Sequence, residues 1–195
     1  MSGPPRSRGA AIAKDVAETV GLIRSRKRLV GNRSRPGPAC RPGNREPVNA
    51  NTTIIDRDAG VEGSSVGASS ATTRSQDWQL IDFGDVAWSR RIRGTHYQVT
   101  ARSTATAGQE ICHYGVGSNA VVCGTTLDVS GSAVALTAAG KPGDSGGPCF
   151  VLTGTDAVTA VGLWHGHDGE IADLGFCVGV DAALQAFGEN RGDNA

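Results

Sequence analysis

Gly143-Asp144-Ser145-Gly146-Gly147-Pro148 is the stretch that decides how the rest of the chain is read. A serine that attacks a carbonyl needs backbone N–H groups aimed at the oxygen that becomes negative, and open space in front of its hydroxyl. Gly143, two residues before the serine, lets the chain turn its N–H inward with no side chain in the way, and Gly146 with Gly147 keeps the approach clear. Pro148 ends the loop and an apolar run follows. A chance glycine turn is the bland alternative, but it does not require this order of Asp, Ser, Gly, Gly and Pro.

Outward from the hexapeptide the texture is Gly, Ser, Thr, Ala and Val from Asn51 onward, in short apolar runs separated by turn residues. That is the pattern of an all-β sandwich or barrel. Strands are predicted at Thr53–Ile55, Trp78–Ile81, Tyr97–Ala101, Ala120–Leu127, Ala133–Thr137, Cys149–Leu152, Val158–Trp164 and Gly175–Val180. One helix is expected late in the chain, Asp181–Phe187, capped by Asp181 and ended by Gly188 and Asn190. Gly60–Ser75 reads as a linker or as a pair of weak edge strands.

With these residues quoted, the chain resembles the trypsin and chymotrypsin superfamily of serine endopeptidases, in particular its bacterial branch of streptogrisins and alpha-lytic protease. Cys112-His113-Tyr114-Gly115 matches the family's Cys-x-x-Gly turn, and Cys123-Gly124-Thr125 its Cys-Gly-Thr strand. Ala160-Val161-Gly162-Leu163-Trp164-His165-Gly166-His167 matches the strand that pairs with an extended peptide substrate, although His165 and His167 replace Ser and Gly. Phe176-Cys177-Val178-Gly179-Val180 and the following helix match the family's last strand and terminal helix. The resemblance covers roughly residues 75–190.

The resemblance implies a set of roles. Ser145 is the nucleophile, and the Gly143 and Ser145 N–H groups form the oxyanion hole. His165, Gly166 and His167 line the substrate side, and Ala139 stands at the base of the primary pocket. Without a carboxylate there, the residue before the scissile bond is expected to be apolar or small; the histidines allow a rival expectation of acidic residues. Cys112 is expected to bridge to Cys123, with two buried thiols as the alternative in a reducing compartment; a Cys149–Cys177 bridge is the candidate second pairing, with its connectivity left open. His113 stands where the branch places an Arg that neutralises the buried Asp, here Asp144. That role would require a protonated His113 or another donor for Asp144, and would loosen the loop as pH rises through the His113 titration.

Asp77-Trp78-Gln79-Leu80-Ile81 has the form of the family's triad acid, so Asp77 is the expected partner of a general-base histidine. That histidine should precede the acid, yet the four histidines, His96, His113, His165 and His167, all follow Asp77. His165 could act as base only if its ring reached Ser145 with Asp77 behind it. The function expected is therefore a serine endopeptidase that acylates Ser145, as a truncated member lacking its base. The alternative is an inactive relative that binds peptides by strand addition.

Net charge is zero over 195 residues, but residues 1–50 hold 11 of the 19 Lys and Arg against Asp15, Glu18 and Glu46. Ala10–Val30 is expected as one short helix and Gly31–Asn44 as an unfolded tail, poor in the apolar residues that offset chain entropy. A basic arm for nucleic acid or an anionic membrane is the sharper reading, but it lacks aromatic or motif support, so neither partner is expected. No apolar run resembles a signal peptide or a membrane span. The family is secreted, so localisation is left open. No motif for a cofactor or metal is present. The domains expected are a basic 1–50, a first-barrel remnant at 51–105, a complete second barrel at 106–190 carrying the nucleophile, and a tail at 191–195. Half of a barrel pair leaves strand edges unpaired and predicts association.

Overall fold

The computed structural model describes residues 27–31, 53–56, 61–68, 78–83, 89–167, 171, 173–181 and 184. It is almost entirely β. Four strands, β1 (Lys27–Gly31), β2 (Thr53–Asp56), β3 (Val61–Ala68) and β4 (Trp78–Asp82), form an antiparallel sheet in the order β1-β4-β3-β2. The other seven are β5 (Gln98–Arg102), β6 (Glu110–Gly115), β7 (Ala120–Ser130), β8 (Ala133–Leu136), β9 (Pro148–Leu152), β10 (Ala157–His167) and β11 (Gly175–Gly179).

Six of these seven close on themselves. Strand β6 pairs with β7, β7 with β8, β8 with β11, β11 with β10, β10 with β9 and β9 with β6, every pair antiparallel. Closure leaves the barrel without a free edge. β5 lies outside this ring, parallel to β10 along Ala157–Ala160. β10 thus exchanges neighbours midway: β9 flanks one side, and β5 gives way to β11 from Gly162 on the other.

The apolar residues supplied by β-branched and aromatic positions fill two clusters. One gathers Ile111, Val134, Leu136, Ala138, Cys149, Val161, Trp164 and Cys177. The second gathers Ile92, Val99, Cys112, Tyr114, Phe150, Val158 and Ala160. Trp164, Phe150, Ile111 and Leu136 are among the largest fully buried side chains, and burying each contributes roughly 1.5–3 kcal/mol. Two disulfides fasten these clusters: Cys112–Cys123 joins directly opposed residues of β6 and β7, and Cys149–Cys177 joins β9 to β11 past the intervening β10.

The expected all-β barrel with a short terminal helix is what the chain forms; Val180, Asp181 and Leu184 are helical. Three local expectations differ. Cys112–Gly115 is not a turn but the end of β6, and the turn follows at Val116–Asn119, where Asn119 takes φ 50°. The strand wins because Cys112, His113, Tyr114 and Gly115 are all buried and paired on β7. Lys27–Val30, expected as the end of a helix, is strand, because it pairs in register with Ile81 and its neighbours on β4. Val61–Ala68 is a single strand inside the sheet, between β2 and β4, rather than a linker or a pair of edge strands. The other residues expected as helix or tail before Asn51 lie outside the described residues. Among the described residues, no helix is long and apolar enough to cross a membrane.

Candidate active site

The loop between β8 and β9 carries the hexapeptide. Gly143 has φ 104° and Gly146 φ 88°, backbone conformations that side chains disfavour, so the two glycines at these places are a steric requirement. The loop is then tied down from both ends. Gly146 N–H donates to Trp164 O at 2.6 Å, and Trp164 N–H donates to Gly147 O at 2.7 Å, stitching the segment after Ser145 to β10. Asp144 N–H donates to Lys141 O at 3.0 Å, and Gly147 N–H to Asp144 O at 2.9 Å. Among the described residues, no acceptor within the chain engages the Gly143 or Ser145 N–H.

Asp144 is buried, 1 % exposed, and its carboxylate holds the loop from beneath. Ser118 N–H donates to Oδ1 and Lys141 N–H to Oδ2, each at 2.8 Å. A buried carboxylate satisfied by two main-chain donors needs no side-chain cation, and each charge-assisted bond contributes about 1.5–3 kcal/mol. The close approach explains Gly115 and Gly117, because a Cβ on either would collide with the Asp144 carboxylate or with the Pro142 carbonyl.

His113 therefore does not neutralise Asp144 by contact. It is fully buried, its Nε2–H donates to Ala139 O at 2.8 Å, and its ring stacks on Trp164 with centroids 3.7 Å apart. Burial lowers its pKa below 6.5, opposed in part by the bond to Ala139 and by the charge of Asp144. The expected loosening with rising pH is thereby reversed in sign. Neutral imidazole is the form that the fold accommodates, and the cost falls on the acid side.

Ser145 is half-buried, and its hydroxyl donates to the main-chain oxygen of His165 at 3.1 Å. His165 sits at a β-bulge, where the register shifts between Trp164, paired with Cys177, and Gly166, paired with Phe176. Gly166, with φ 152°, completes the bend. His165 and Gly166 are half-buried and His167 is exposed at the end of β10. Ala139 is exposed and anchors His113 through its carbonyl. His96 is exposed, with its Nε2 3.9 Å from the exposed Asp156 carboxylate. Asp77, the expected acid, lies outside the described residues, immediately before β4. Cys40 lies outside them as well.

Sequence reasoning missed Ser118 and Lys141 as donors to Asp144, since main-chain donors leave no residue-type signal. It also missed the indole of Trp164, which was read only as part of the substrate strand. Glu110, Cys112 and Cys123 bring ligand atoms within 4.8 Å of one another, but both sulfurs are committed to the disulfide and offer no thiolate.

No protein-family model matches the chain, and no curated protein does. Solved structures do match. Thermobifida fusca protease A is 24 % identical with a TM-score of 0.52, over 71 % of this chain and 76 % of that one. Nocardiopsis protease is 19 % identical with a TM-score of 0.55, over 83 % and 82 %. A glutamic-acid-specific serine protease described as using a histidine triad in substrate binding is 23 % identical, with a TM-score of 0.54 over 69 % and 76 %. At these identities the likeness establishes the chymotrypsin-like protease fold.

Proposed function

We propose that this chain is a serine endopeptidase of the bacterial chymotrypsin-like kind, in which Ser145 forms the acyl-enzyme. The observation that carries the reading is the loop itself: a serine between two positive-φ glycines, held over a buried carboxylate that two backbone N–H groups satisfy. That geometry leaves the Gly143 and Ser145 N–H groups to receive an oxyanion. In the acylation step the Ser145 oxygen bonds to the scissile carbonyl carbon, the carbonyl oxygen takes the negative charge, and the amine leaves with a proton. Asp77 is the proposed acid of the site; with no histidine before it in the chain, the Ser145 proton passes to the leaving amine through solvent. An extended peptide would pair with the end of β10, from His165 to His167.

The proton step sets the expected rate. The acceptor facing the Ser145 hydroxyl is a main-chain oxygen, which holds the hydroxyl but takes no proton at neutral pH. A serine site that retains its oxyanion donors without a working base still accelerates hydrolysis by about 10³ to 10⁴ fold over water. Slow acylation of Ser145 with low turnover is therefore the expected behaviour. Treating the folded, oxidised protein with a fluorophosphonate and mapping the adduct tests this. Labelling confined to Ser145 and absent in Ser145→Ala supports the proposal. A folded protein that takes no label over days would leave only peptide binding.

A further inference from the structure

We infer that Trp164 fills the primary specificity pocket, so that the site accepts only Gly or Ala before the scissile bond. The inference rests on the peptidase reading above and names what that site selects. The resemblance puts Ala139 at the base of the primary pocket and His165–His167 along its side; Gly140 follows Ala139, and Gly175 opens β11 opposite His167. Here one indole stands against both glycines. A Cβ built on Gly140 would stand 2.7 Å from the indole Cζ2, and a Cβ built on Gly175 would collide with its Cη2. Two glycines from separate segments thus give up their side chains to the same ring. The slot between two main-chain walls is one that a flat side chain of substrate would enter.

The ring is fixed there rather than hinged. It is 1 % exposed, it stacks on His113, and His113 is itself held by Ala139 O. The Trp164 main chain is bonded in both directions to the nucleophile loop. An imidazole stack and two hydrogen bonds hold the residue whose side chain closes the pocket, directly before the carbonyl that receives the Ser145 hydroxyl. Space for a side chain beyond a methyl is therefore missing, and so is a route to charge selection deeper than the rim, where His165 and His167 stand.

The test is a comparison of product-type peptides, identical except for a terminal Ala, Leu, Phe or Glu carrying the free carboxylate, labelled at the amino end and titrated by fluorescence anisotropy. The proteins are the full-length wild type, Trp164→Val and Trp164→Gly, each checked for folding by circular dichroism. Wild type is expected to bind the Ala peptide at least about tenfold more tightly than Leu, Phe or Glu, the discrimination that a few methylenes in an apolar pocket provide. Trp164→Val should gain Leu, and Trp164→Gly should gain Phe, each relative to Ala in the same protein. Reading ratios keeps the result independent of any change in overall affinity. A wild type that prefers Phe or Glu, or folded variants that keep the wild-type ratios, would overturn the inference while leaving the peptidase reading in place. If none of the proteins bound any peptide and Ser145 took no fluorophosphonate, the peptidase reading would fall and the inference with it. Should Trp164→Gly not fold, the wild-type preference and the Leu gain of Trp164→Val decide the matter.

Discussion

Asp144 carries more of the site than its neighbour's chemistry would suggest. Its two oxygens accept from Ser118 N–H and Lys141 N–H, so replacing one oxygen by an amide sets donor against donor. Asp144→Asn is expected to cost about 1–3 kcal/mol in urea unfolding and to abolish fluorophosphonate labelling of Ser145. His113 gives a second expectation at this scale. Its pKa in the fold lies below the 6.5 of an exposed imidazole because burial disfavours the cation. The unfolded chain therefore binds a proton first as pH falls. The stability that the neutral ring supports is fully present above pH 6.5 and is lost as pH falls toward the folded pKa. Urea midpoints measured from pH 8 to pH 5 should decline on the acid side, and His113→Gln should flatten that decline. A midpoint that rises on acidification would refute this sign.

At the scale of elements, what was legible in the residues followed from patterning. β8, β9, β10 and β11 were each anticipated within a few residues, because alternating Val, Ala, Leu and aromatic side chains bounded by Gly and Pro leave little choice. The β6 strand was not anticipated. Its Cys-x-x-Gly run reads locally as a turn, and only pairing with two neighbours makes it a strand. Main-chain donors to Asp144 and the bulge at His165 were invisible for a similar reason, since both depend on register rather than residue type. The pairing of Cys149 with Cys177, left open by the sequence, is present across β10. This bridge closes a loop over a sequence separation of 28, for which the chain-entropy account gives about 3–4 kcal/mol. Replacing both cysteines with alanine should lower the unfolding free energy by that order in chemical denaturation, with far-ultraviolet dichroism retained at low denaturant.

For the whole molecule, the asymmetry between the two sheets governs behaviour. The six-strand barrel is closed and holds both disulfides, whereas the sheet β1-β4-β3-β2 is open among the described residues, with β1 and β2 outermost. Unpaired strand edges favour pairing between molecules. Sedimentation over a tenfold concentration range is expected to show reversible association; a single monomeric species throughout would contradict it.

The bulge in β10 also dictates where the chain tolerates a change of length. The turn from Thr153 to Asp156 is exposed and leads into the β9–β10 ladder, so one residue inserted between Gly154 and Thr155 lengthens a surface hairpin and leaves the register of that ladder in place. The position between Trp164 and Gly166 is different. Deleting His165 would make the ladder with β11 unbroken, yet it would remove the carbonyl that accepts from the Ser145 hydroxyl. Drift in length is thus tolerated in one hairpin and opposed nine residues later, at a place where a shorter chain would make the more regular sheet.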